Sequence, residues 1–249
     1  MGFWPVVMNV LRNSDVVLLL VDARMPDITQ NSEIVEKVKA TSDKRLIFVF
    51  NKSDLISRKD IEKLKDEYPN AFFISATKKI GVGKLRATLK NMADNWHRPS
   101  LRVGLVGYPN IGKSTLINLL APEAKAKVSP VSGTTKKTQW VRTGRLRIMD
   151  SPGVIPYGDK KVQIGMTASK DPHKIRNPEK VAIKIIEFIM EKNPKVLEKM
   201  YGAKGEDAYE VFEEIARKKG FLIKGGETDE NRTAIKVIDD WQKGKTNLK

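Results

Sequence analysis

Residues 107–114, Gly-Tyr-Pro-Asn-Ile-Gly-Lys-Ser, have the spacing of a phosphate-binding loop, in which two glycines flank four residues and a lysine and a serine follow. The loop comes after the apolar run 101–106 and opens a helical pattern, which is the context that such a loop requires. Its glycines allow backbone N–H groups to surround phosphate oxygens at a helix N-terminus. We therefore expect Lys113 to contact the β and γ phosphates of a nucleotide and Ser114 to bind Mg²⁺.

The tetrapeptide 51–54, Asn-Lys-Ser-Asp, lies at the end of an apolar run that begins at Leu46. Loops at the ends of strands in open α/β sheets meet their ligands. The carboxylate of Asp54 can accept hydrogen bonds from the two adjacent N–H donors of guanine, and adenine lacks that pair. Adenine would leave this carboxylate buried without hydrogen-bond donors, which costs binding free energy. The tetrapeptide therefore favours GTP over ATP and argues against a P-loop ATPase or kinase.

Neighbouring residues extend this predicted nucleotide site. The stem of Lys52 can lie along the base plane, and the Asn51 amide can tie its loop to the phosphate loop. The tripeptide 75–77, Ser-Ala-Thr, ends the next apolar run, where its N–H groups can reach the guanine carbonyl. The predicted GTP contacts are Asn51, Lys52, Ser53, Asp54, Ser75, Ala76, Thr77, Asn110, Ile111, Gly112, Lys113, Ser114, Thr115 and Gly153.

The segment 150–153, Asp-Ser-Pro-Gly, ends another apolar stretch. There, Asp150 is placed to hold the magnesium shell and the Gly153 N–H to meet the γ-phosphate. Between the phosphate loop and this segment lie Thr134 and Thr135, and either threonine can complete the magnesium shell, with Thr135 preferred. The predicted catalytic residues are Lys113, Thr135 and Gly153, and the predicted magnesium ligands are Ser114, Thr135 and Asp150.

Short apolar runs alternate with helical patterns up to residue 157, which predicts an α/β GTPase domain over 1–157 with a sheet covered on both faces. The predicted strands are Val16–Asp22, Leu46–Asn51, Ala71–Ser75, Leu101–Gly107 and a hairpin of Lys137–Val141 with Leu146–Asp150. The predicted helices are Ile28–Thr41, Lys59–Tyr68, Val82–Trp96 and Gly112–Ala121.

After residue 157 the sequence becomes rich in glycine and lysine and then amphipathic, which predicts a linker at 158–175 and a small all-helical domain at 176–249. Gly202 and Gly220 fit helix C-caps, and Pro178 fits a first helical turn. The predicted helices are Pro178–Lys192, Pro194–Tyr201, Glu206–Lys219 and Asp229–Gln242.

The charge distribution predicts a polyanionic partner. The formal net charge is +16, and residues 78–147 contain fifteen basic residues but only two acidic ones. Because this surplus is concentrated, we expect contact with RNA or the ribosome.

Other features of the composition bear on location. The chain has no cysteine, and its longest apolar run, Val16–Val21, is far below the roughly 20 residues of a membrane helix. These features favour a cytoplasmic protein that does not span a membrane. The last residues, 246–249, also lack the cysteine of a lipid-anchored signalling GTPase.

Together the motifs resemble those of TRAFAC-type GTPases. In those proteins the phosphate loop comes first, whereas here the two predicted base-reading loops, 51–54 and 75–77, precede it. This order resembles the circularly permuted GTPases of the YlqF/YawG ribosome-biogenesis family. Residues 22–26, Asp-Ala-Arg-Met-Pro, and the tail segment 219–226 are also similar to that family, so the resemblance covers nearly the whole chain.

The resemblance implies a permuted P-loop GTPase fold with a helical C-terminal domain. It also implies GTP-dependent maturation of the large ribosomal subunit or its precursor, with the tail contacting ribosomal RNA. Bacterial relatives carry a histidine-containing N-terminal stretch, whereas the histidines of this chain are His97 and His173, so no catalytic histidine is transferred.

We expect slow hydrolysis by the free protein. Ras-like enzymes use a glutamine after this glycine to orient the attacking water, and here the apolar residues Val154 and Ile155 stand in its place. A ribosomal particle that completes the site is expected to accelerate turnover by roughly 10³ to 10⁵. By the resemblance, Asn110 occupies the position at which similar GTPases bind potassium, so K⁺ is expected to stimulate the reaction.

Two hypotheses about activity remain at this point. The first is a monomeric ribosome assembly GTPase. The alternative is an RNA-binding structural factor that binds GTP without significant turnover, and the intact Lys113, Ser114 and Asp150 argue against it.

Overall fold

The computed structural model describes residues 3–41, 44–123, 139–153, 165–167 and 170–249. The chain divides into two compact units, Met1–Gly158 and Asp159–Lys249. Within the described ranges, no helix combines the length and the apolar character needed to cross a bilayer.

The first unit alternates strands and helices. In chain order its elements are α1 (Phe3–Asn13), β1 (Val16–Asp22), α2 (Pro26–Thr29), α3 (Ser32–Lys39), β2 (Arg45–Asn51), a 3₁₀ turn (Ser53–Leu55), α4 (Arg58–Glu67), β3 (Phe72–Phe73), α5 (Val82–Asp94), β4 (Leu101–Val106), α6 (Lys113–Leu120), β5 (Gln139–Thr143) and β6 (Leu146–Asp150). This alternation confirms the predicted α/β fold class.

The strands form one six-stranded sheet in the order β3-β2-β1-β4-β6-β5. All neighbours are parallel except β5 and β6, which form the predicted antiparallel hairpin. Every residue of β1 is buried, as expected for a central strand that is covered on both faces. Because β1, β2, β4 and β6 run parallel, their carboxyl ends meet at one edge of the sheet.

Helices cover both faces of the sheet. One core layer joins alternate sheet residues to α5 and α6, through side chains such as Leu85, Leu89 and Leu116. The other layer joins the sheet to α1, α3 and α4, through side chains such as Val10 and Ile34. Successive side chains of a strand point to opposite faces, so alternate residues of the buried strands contribute to each layer, and each helix packs its apolar face onto one of them.

Strand β3 is shorter than the predicted Ala71–Ser75, and two helical parts of this unit also differ from the sequence prediction. Helix α1 was not predicted, although its residues 6, 7, 10 and 11 are apolar at helical spacing and buried. The predicted helix Ile28–Thr41 was wrong as a single element, because the chain is extended at Gln30 and a new helix starts after it. Asn31 caps that second helix, since its Oδ1 accepts a hydrogen bond from the Ile34 N–H at 3.0 Å.

The second unit is helical, with α7 (Pro178–Lys192), α8 (Lys195–Tyr201), α9 (Ala208–Lys219) and α10 (Glu230–Gln242), preceded by a 3₁₀ turn at Pro172–Lys174. Pro178 occupies the first turn of α7. Gly202 and Gly220 are the predicted C-caps, with φ of 70° and 66°, a left-handed conformation that glycine adopts without strain.

Two side chains of α10 organise the core of this unit. Trp241 is fully buried, and its indole N–H donates to the Met166 carbonyl at 2.9 Å. The buried Asp240 accepts hydrogen bonds from the Tyr201 hydroxyl at 3.0 Å, from Lys245 at 3.0 Å and from Lys236. Burial alone would raise the pKa of Asp240, but these donors hold it below its ordinary value.

Candidate functional site

The predicted phosphate loop connects β4 to α6 at the carboxyl edge of the sheet. Two of its glycines are required by geometry. Gly107 has φ +150°, and a Cβ there would lie 2.8 Å from the Leu20 carbonyl oxygen. Gly112 has φ +103°, and a Cβ there would lie 2.4 Å from the Asn51 side-chain nitrogen. The backbone can therefore curl tightly between β1 and the loop after β2 only because both positions lack a side chain.

Lys113 lies inside the curled loop. Its ammonium donates to the carbonyls of Gly107 at 2.9 Å and Tyr108 at 2.6 Å, and the residue is 6% exposed. Burial lowers the pKa of Lys113 to about 7, against the attraction of Asp150 that would raise it. A desolvated amine enclosed by a loop of backbone groups is suited to receive a phosphate anion.

Ser114 and Asp150 face each other across the ends of α6 and β6. The serine Oγ lies 3.4 and 3.3 Å from the two carboxylate oxygens, and Asp150 is fully buried. Adjacent ligands of an octahedral Mg²⁺ ion lie about 2.9 Å apart, and Mg²⁺ prefers oxygen ligands and few carboxylates. This hydroxyl and carboxylate therefore fit a magnesium ion that also binds phosphate oxygens. Gln139 on β5 approaches the same carboxylate, at 3.4 Å.

The segment after β6 lies against the phosphate loop. The Ser151 hydroxyl donates to the Leu105 carbonyl at 2.5 Å, which ties the segment to β4. At Gly153 an added Cβ would lie 2.4 Å from the Pro109 Cα and 2.6 Å from its nitrogen. Gly153 is thus in backbone contact with the loop, which brings the two predicted phosphate-sensing segments together.

Asn51 joins the base-reading loops to the phosphate loop. Its Nδ2 donates to the Ile111 carbonyl at 2.8 Å, and its Oδ1 accepts from the Ala76 N–H at 3.0 Å. The residue is 4% exposed. One buried amide therefore connects the loops after β2, β3 and β4, as the sequence predicted for the link to the phosphate loop.

Asp54 lies in the 3₁₀ turn after β2 and is 8% exposed. One of its oxygens forms an ion pair with the Lys78 ammonium at 2.9 Å. Burial would raise the pKa of Asp54, but the Ser75 hydroxyl and Lys78 hold it below its ordinary value, so the carboxylate is ionised and able to accept hydrogen bonds. Lys78 was missed by sequence reasoning, although it directly follows the predicted tripeptide 75–77.

Other predicted contacts occupy the same edge. The Ser53 N–H donates to the Ile74 carbonyl at 3.0 Å, and the Ser75 and Thr77 hydroxyls lie 3.3 Å apart. Asn110 has a left-handed backbone with φ 54°, and Thr115 lies in the first turn of α6. The structure thus brings the predicted residues of the described segments to one edge of the sheet. Thr134, Thr135, Val154 and Ile155 lie outside the described residues.

A buried ion cluster that the sequence analysis did not assign to the site adjoins Lys52. The Asp22 carboxylate accepts from Arg24 at 2.8 and 3.0 Å and from the Lys52 ammonium at 2.8 Å. The signal was available, because Asp22 and Arg24 belong to the Asp-Ala-Arg-Met-Pro stretch that carries the family resemblance.

Comparison with known protein families matches this chain to two GTPase models. The RsgA GTPase model matches residues 7–158, which is more than half of the chain, and the model described as 50S ribosome-binding GTPase matches residues 102–221. In this chain the loop with Asp54 precedes the phosphate loop. The chain belongs to the circularly permuted GTPases.

Relatives of this circularly permuted GTPase align with nearly its whole length, at about one third identity. It is 37% identical over 97% of its length to an uncharacterized GTP-binding protein of Methanocaldococcus jannaschii, of which it spans 65%. It is 35% and 33% identical, again over 97% of its length, to the nucleolar GTP-binding protein 2 of Pneumocystis carinii and of Saccharomyces cerevisiae. It spans only about half of those two proteins, 52% and 51%.

Solved structures support the fold of this permuted GTPase. A GDP-bound structure of TM YlqF matches with a TM-score of 0.64 at 23% identity, covering 97% of this chain and 95% of that one. A GNP-bound YlqF from T. maritima matches with a TM-score of 0.62 at 24% identity, covering 97% and 94%. These matches cover both units of the chain.

Proposed function

We propose that this protein binds GTP with Mg²⁺ at the carboxyl edge of its sheet and hydrolyses it to GDP and phosphate. The observation that carries the proposal is the Asn51 bridge. A single buried amide holds the loop that ends in Asp54, which suits a guanine edge, against the loop that encloses Lys113, which suits phosphates. In this proposal the loop that recognises the base and the loop that recognises the phosphates are thereby joined at one edge of the sheet.

The proposed roles follow from the positions of the groups. Asp54 accepts from the guanine N–H donors, and the 75–77 backbone faces the guanine carbonyl. Lys113 neutralises the β and γ phosphates, and the Gly153 N–H meets the γ-phosphate. The proposed magnesium ligands are Ser114, Asp150 and Thr135, or Thr134 in place of Thr135. Bound Mg²⁺ would supply charge stabilisation on the transferring phosphoryl group.

We propose slow turnover by the free protein. The residues that follow Gly153 are Val154 and Ile155, and neither side chain can orient a water molecule. A ribosomal particle would supply the missing group in trans, and K⁺ near Asn110 would add positive charge beside the phosphates. Because Lys113 already neutralises the bound phosphates, K⁺ is expected to raise kcat more than it raises the affinity for GTP.

The proposed biological role is assembly of the large ribosomal subunit. Three observations support it: the formal charge of +16, the match to the 50S ribosome-binding GTPase model, and the nucleolar names of the relatives. In this proposal residues 1–157 form the GTPase domain, 158–175 a linker, and 176–249 a helical domain that contacts ribosomal RNA. Nucleotide state would reach that domain through the Asp150–Gly153 segment, which runs directly into the linker.

The decisive experiment measures GTP turnover in potassium and in sodium, with and without purified large and small ribosomal subunits, over a salt titration. Stimulation by the large subunit that weakens with salt is expected, because phosphate contacts release counterions. Tight GTP binding with no turnover on any particle, including subunit precursors, would instead support the RNA-binding structural factor. Fast turnover by the free protein would refute the proposed need for a particle.

A further inference from the structure

The cluster of Asp22, Arg24 and Lys52 lies between two strand ends and has a buried part and a surface part. Asp22 is 2% exposed and Arg24 is 3% exposed, whereas the side chain of Lys52 keeps 18% of its surface in contact with solvent. Lys52 is also the residue whose stem suits the plane of a nucleotide base. Lys52 is therefore the member of the cluster that a bound nucleotide can reach, and the ion pair of Asp22 with Arg24 lies buried next to it.

The backbone around the cluster is fastened at several points. Asp22 and Asn51 are register partners in the β1–β2 ladder, and the Ala23 N–H donates to the Asn51 carbonyl at 2.9 Å. The Thr29 hydroxyl accepts from the Asp22 N–H at 2.9 Å and donates to the Met25 carbonyl at 2.8 Å. The Asp22 carboxylate is thus held at a fixed distance from the loop that begins at Asn51.

The two cations play different parts in the cluster. Arg24 donates to both carboxylate oxygens, from Nε to Oδ1 at 3.0 Å and from Nη2 to Oδ2 at 2.8 Å, and this two-point contact fixes the plane of the carboxylate. Lys52 donates one bond, to Oδ2. Its backbone is left-handed, with φ 62°, at the start of the 3₁₀ turn. A lysine stem with its ammonium anchored has far fewer conformations than a free one.

We propose that Asp22 and Arg24 are positioning residues that hold the stem of Lys52 in place as a platform for the guanine base. The proposal rests on the proposed GTP site and adds two residues to it. Asp22 and Arg24 contact no nucleotide themselves and act through Lys52. Burial would raise the pKa of Asp22, but Arg24 and Lys52 hold it below its ordinary value, so the anchoring charge is present throughout the physiological range.

The test separates the base from the phosphates. Affinities for mant-GDP, and for tripolyphosphate by competition, are measured for the wild-type protein, Asp22→Asn, Lys52→Met and the double variant. Each single variant is expected to lower GDP affinity about tenfold, roughly 1.4 kcal/mol, and to leave tripolyphosphate affinity within about twofold. The double variant is expected to bind GDP no more weakly than Lys52→Met, because Asp22 acts through that lysine.

Asp15→Asn is the matched control. At the opposite end of β1, Asp15 accepts from Arg102 at 2.8 and 3.2 Å in the same two-point geometry, far from the carboxyl edge. This variant is expected to lower the melting temperature and to leave GDP affinity unchanged. A loss of melting temperature in Asp22→Asn is therefore no evidence for positioning, whereas a loss of GDP affinity that spares tripolyphosphate is.

Three outcomes would overturn the positioning role: unchanged GDP affinity in Asp22→Asn, an equal loss for GDP and tripolyphosphate, or additive losses in the double variant. If Asp22→Asn does not fold, Asp22→Glu keeps the charge and displaces the carboxylate by one methylene. The expectation is then the same selective loss of GDP affinity, and unchanged affinity would again overturn the role. A wild-type protein that binds no guanine nucleotide would refute the proposed function, and the positioning role with it.

Discussion

Replacing Asn51 by alanine tests whether one amide holds the candidate site together. The substitution removes the hydrogen bonds to the Ile111 carbonyl and from the Ala76 N–H, at 2.8 and 3.0 Å. Both bonds are buried, and loss of a buried partner costs about 1–2 kcal/mol for each group left behind. We therefore expect Asn51→Ala to lower the free energy of unfolding by about 2–4 kcal/mol.

Thermal unfolding measures this effect. For a unit of this size, 1 kcal/mol corresponds to a shift in Tm of about 2–4 °C, so the expected decrease is about 4–16 °C. The matched control is Asn95→Ala, which removes an exposed amide that donates to the Asn91 carbonyl at 3.0 Å. Its effect is expected to stay within about 0.5 kcal/mol, because exposed groups regain water as a partner.

Guanine nucleotide affinity provides a second readout on the same proteins. With the bridge removed, the base-reading loops and the phosphate loop are no longer held in register, so GDP affinity should fall as well. A decrease in Tm as small as that of Asn95→Ala would refute the reasoning. It would mean that backbone packing alone holds the three loops together and that the amide is dispensable.

Three further predictions concern other parts of the chain. Gly153→Ala would place a Cβ 2.4 Å from the Pro109 Cα and so displace the N–H proposed to meet the γ-phosphate. The preference for a GTP analogue over GDP, measured as the ratio of the two Kd values, should fall. In the control Gly83→Ala a Cβ meets nothing within 4 Å, and the ratio should stay unchanged. Burial lowers the pKa of Lys113 to about 7, so above pH 7 phosphate must bind the minor, protonated form. GDP affinity should then fall up to about tenfold per pH unit between pH 7 and 9, with proton uptake in calorimetry, and proton-neutral binding would contradict this. Asp240→Asn should destabilise the helical unit by about 1–3 kcal/mol at pH 7, as followed by urea unfolding. Neighbouring donors hold the pKa of Asp240 below its ordinary value of 3.8. The loss of unfolding free energy should therefore persist from pH 7 to about 4 and shrink as the pH falls further. A loss that does not change with pH would show that the carboxylate charge is not involved.

Local patterns were sufficient for the main elements of the first unit. Strand β1 has the predicted bounds, Val16–Asp22, because a continuous apolar run bounded by polar residues is typical of a central strand. The predicted β2 and β4 each differ from the observed strands by one residue, and the β5–β6 hairpin is present. The predicted β3 was too long, since only Phe72 and Phe73 pair with β2.

Elements whose signals are weak or interrupted were harder to predict. Helix α1 has buried apolar residues at helical spacing, but nothing in its own sequence shows that a sheet covers that face. The break between α2 and α3 depends on Asn31 capping a new helix instead of continuing the old one. Such a choice is made by tertiary packing, because a single asparagine is compatible with either conformation.

The sequence by itself determined which chemical groups make up the proposed nucleotide site, because the phosphate-loop spacing and the Asn-Lys-Ser-Asp tetrapeptide are each a contiguous stretch with a local strand context. Only the tertiary structure decided how those groups are held. Asn51 reaches Ile111 across 60 residues and Lys52 reaches Asp22 across 30, and such partners depend on the order of strands in the sheet. The pairing of Asp22 with Lys52 follows from the adjacency of β1 and β2, which no local pattern contains.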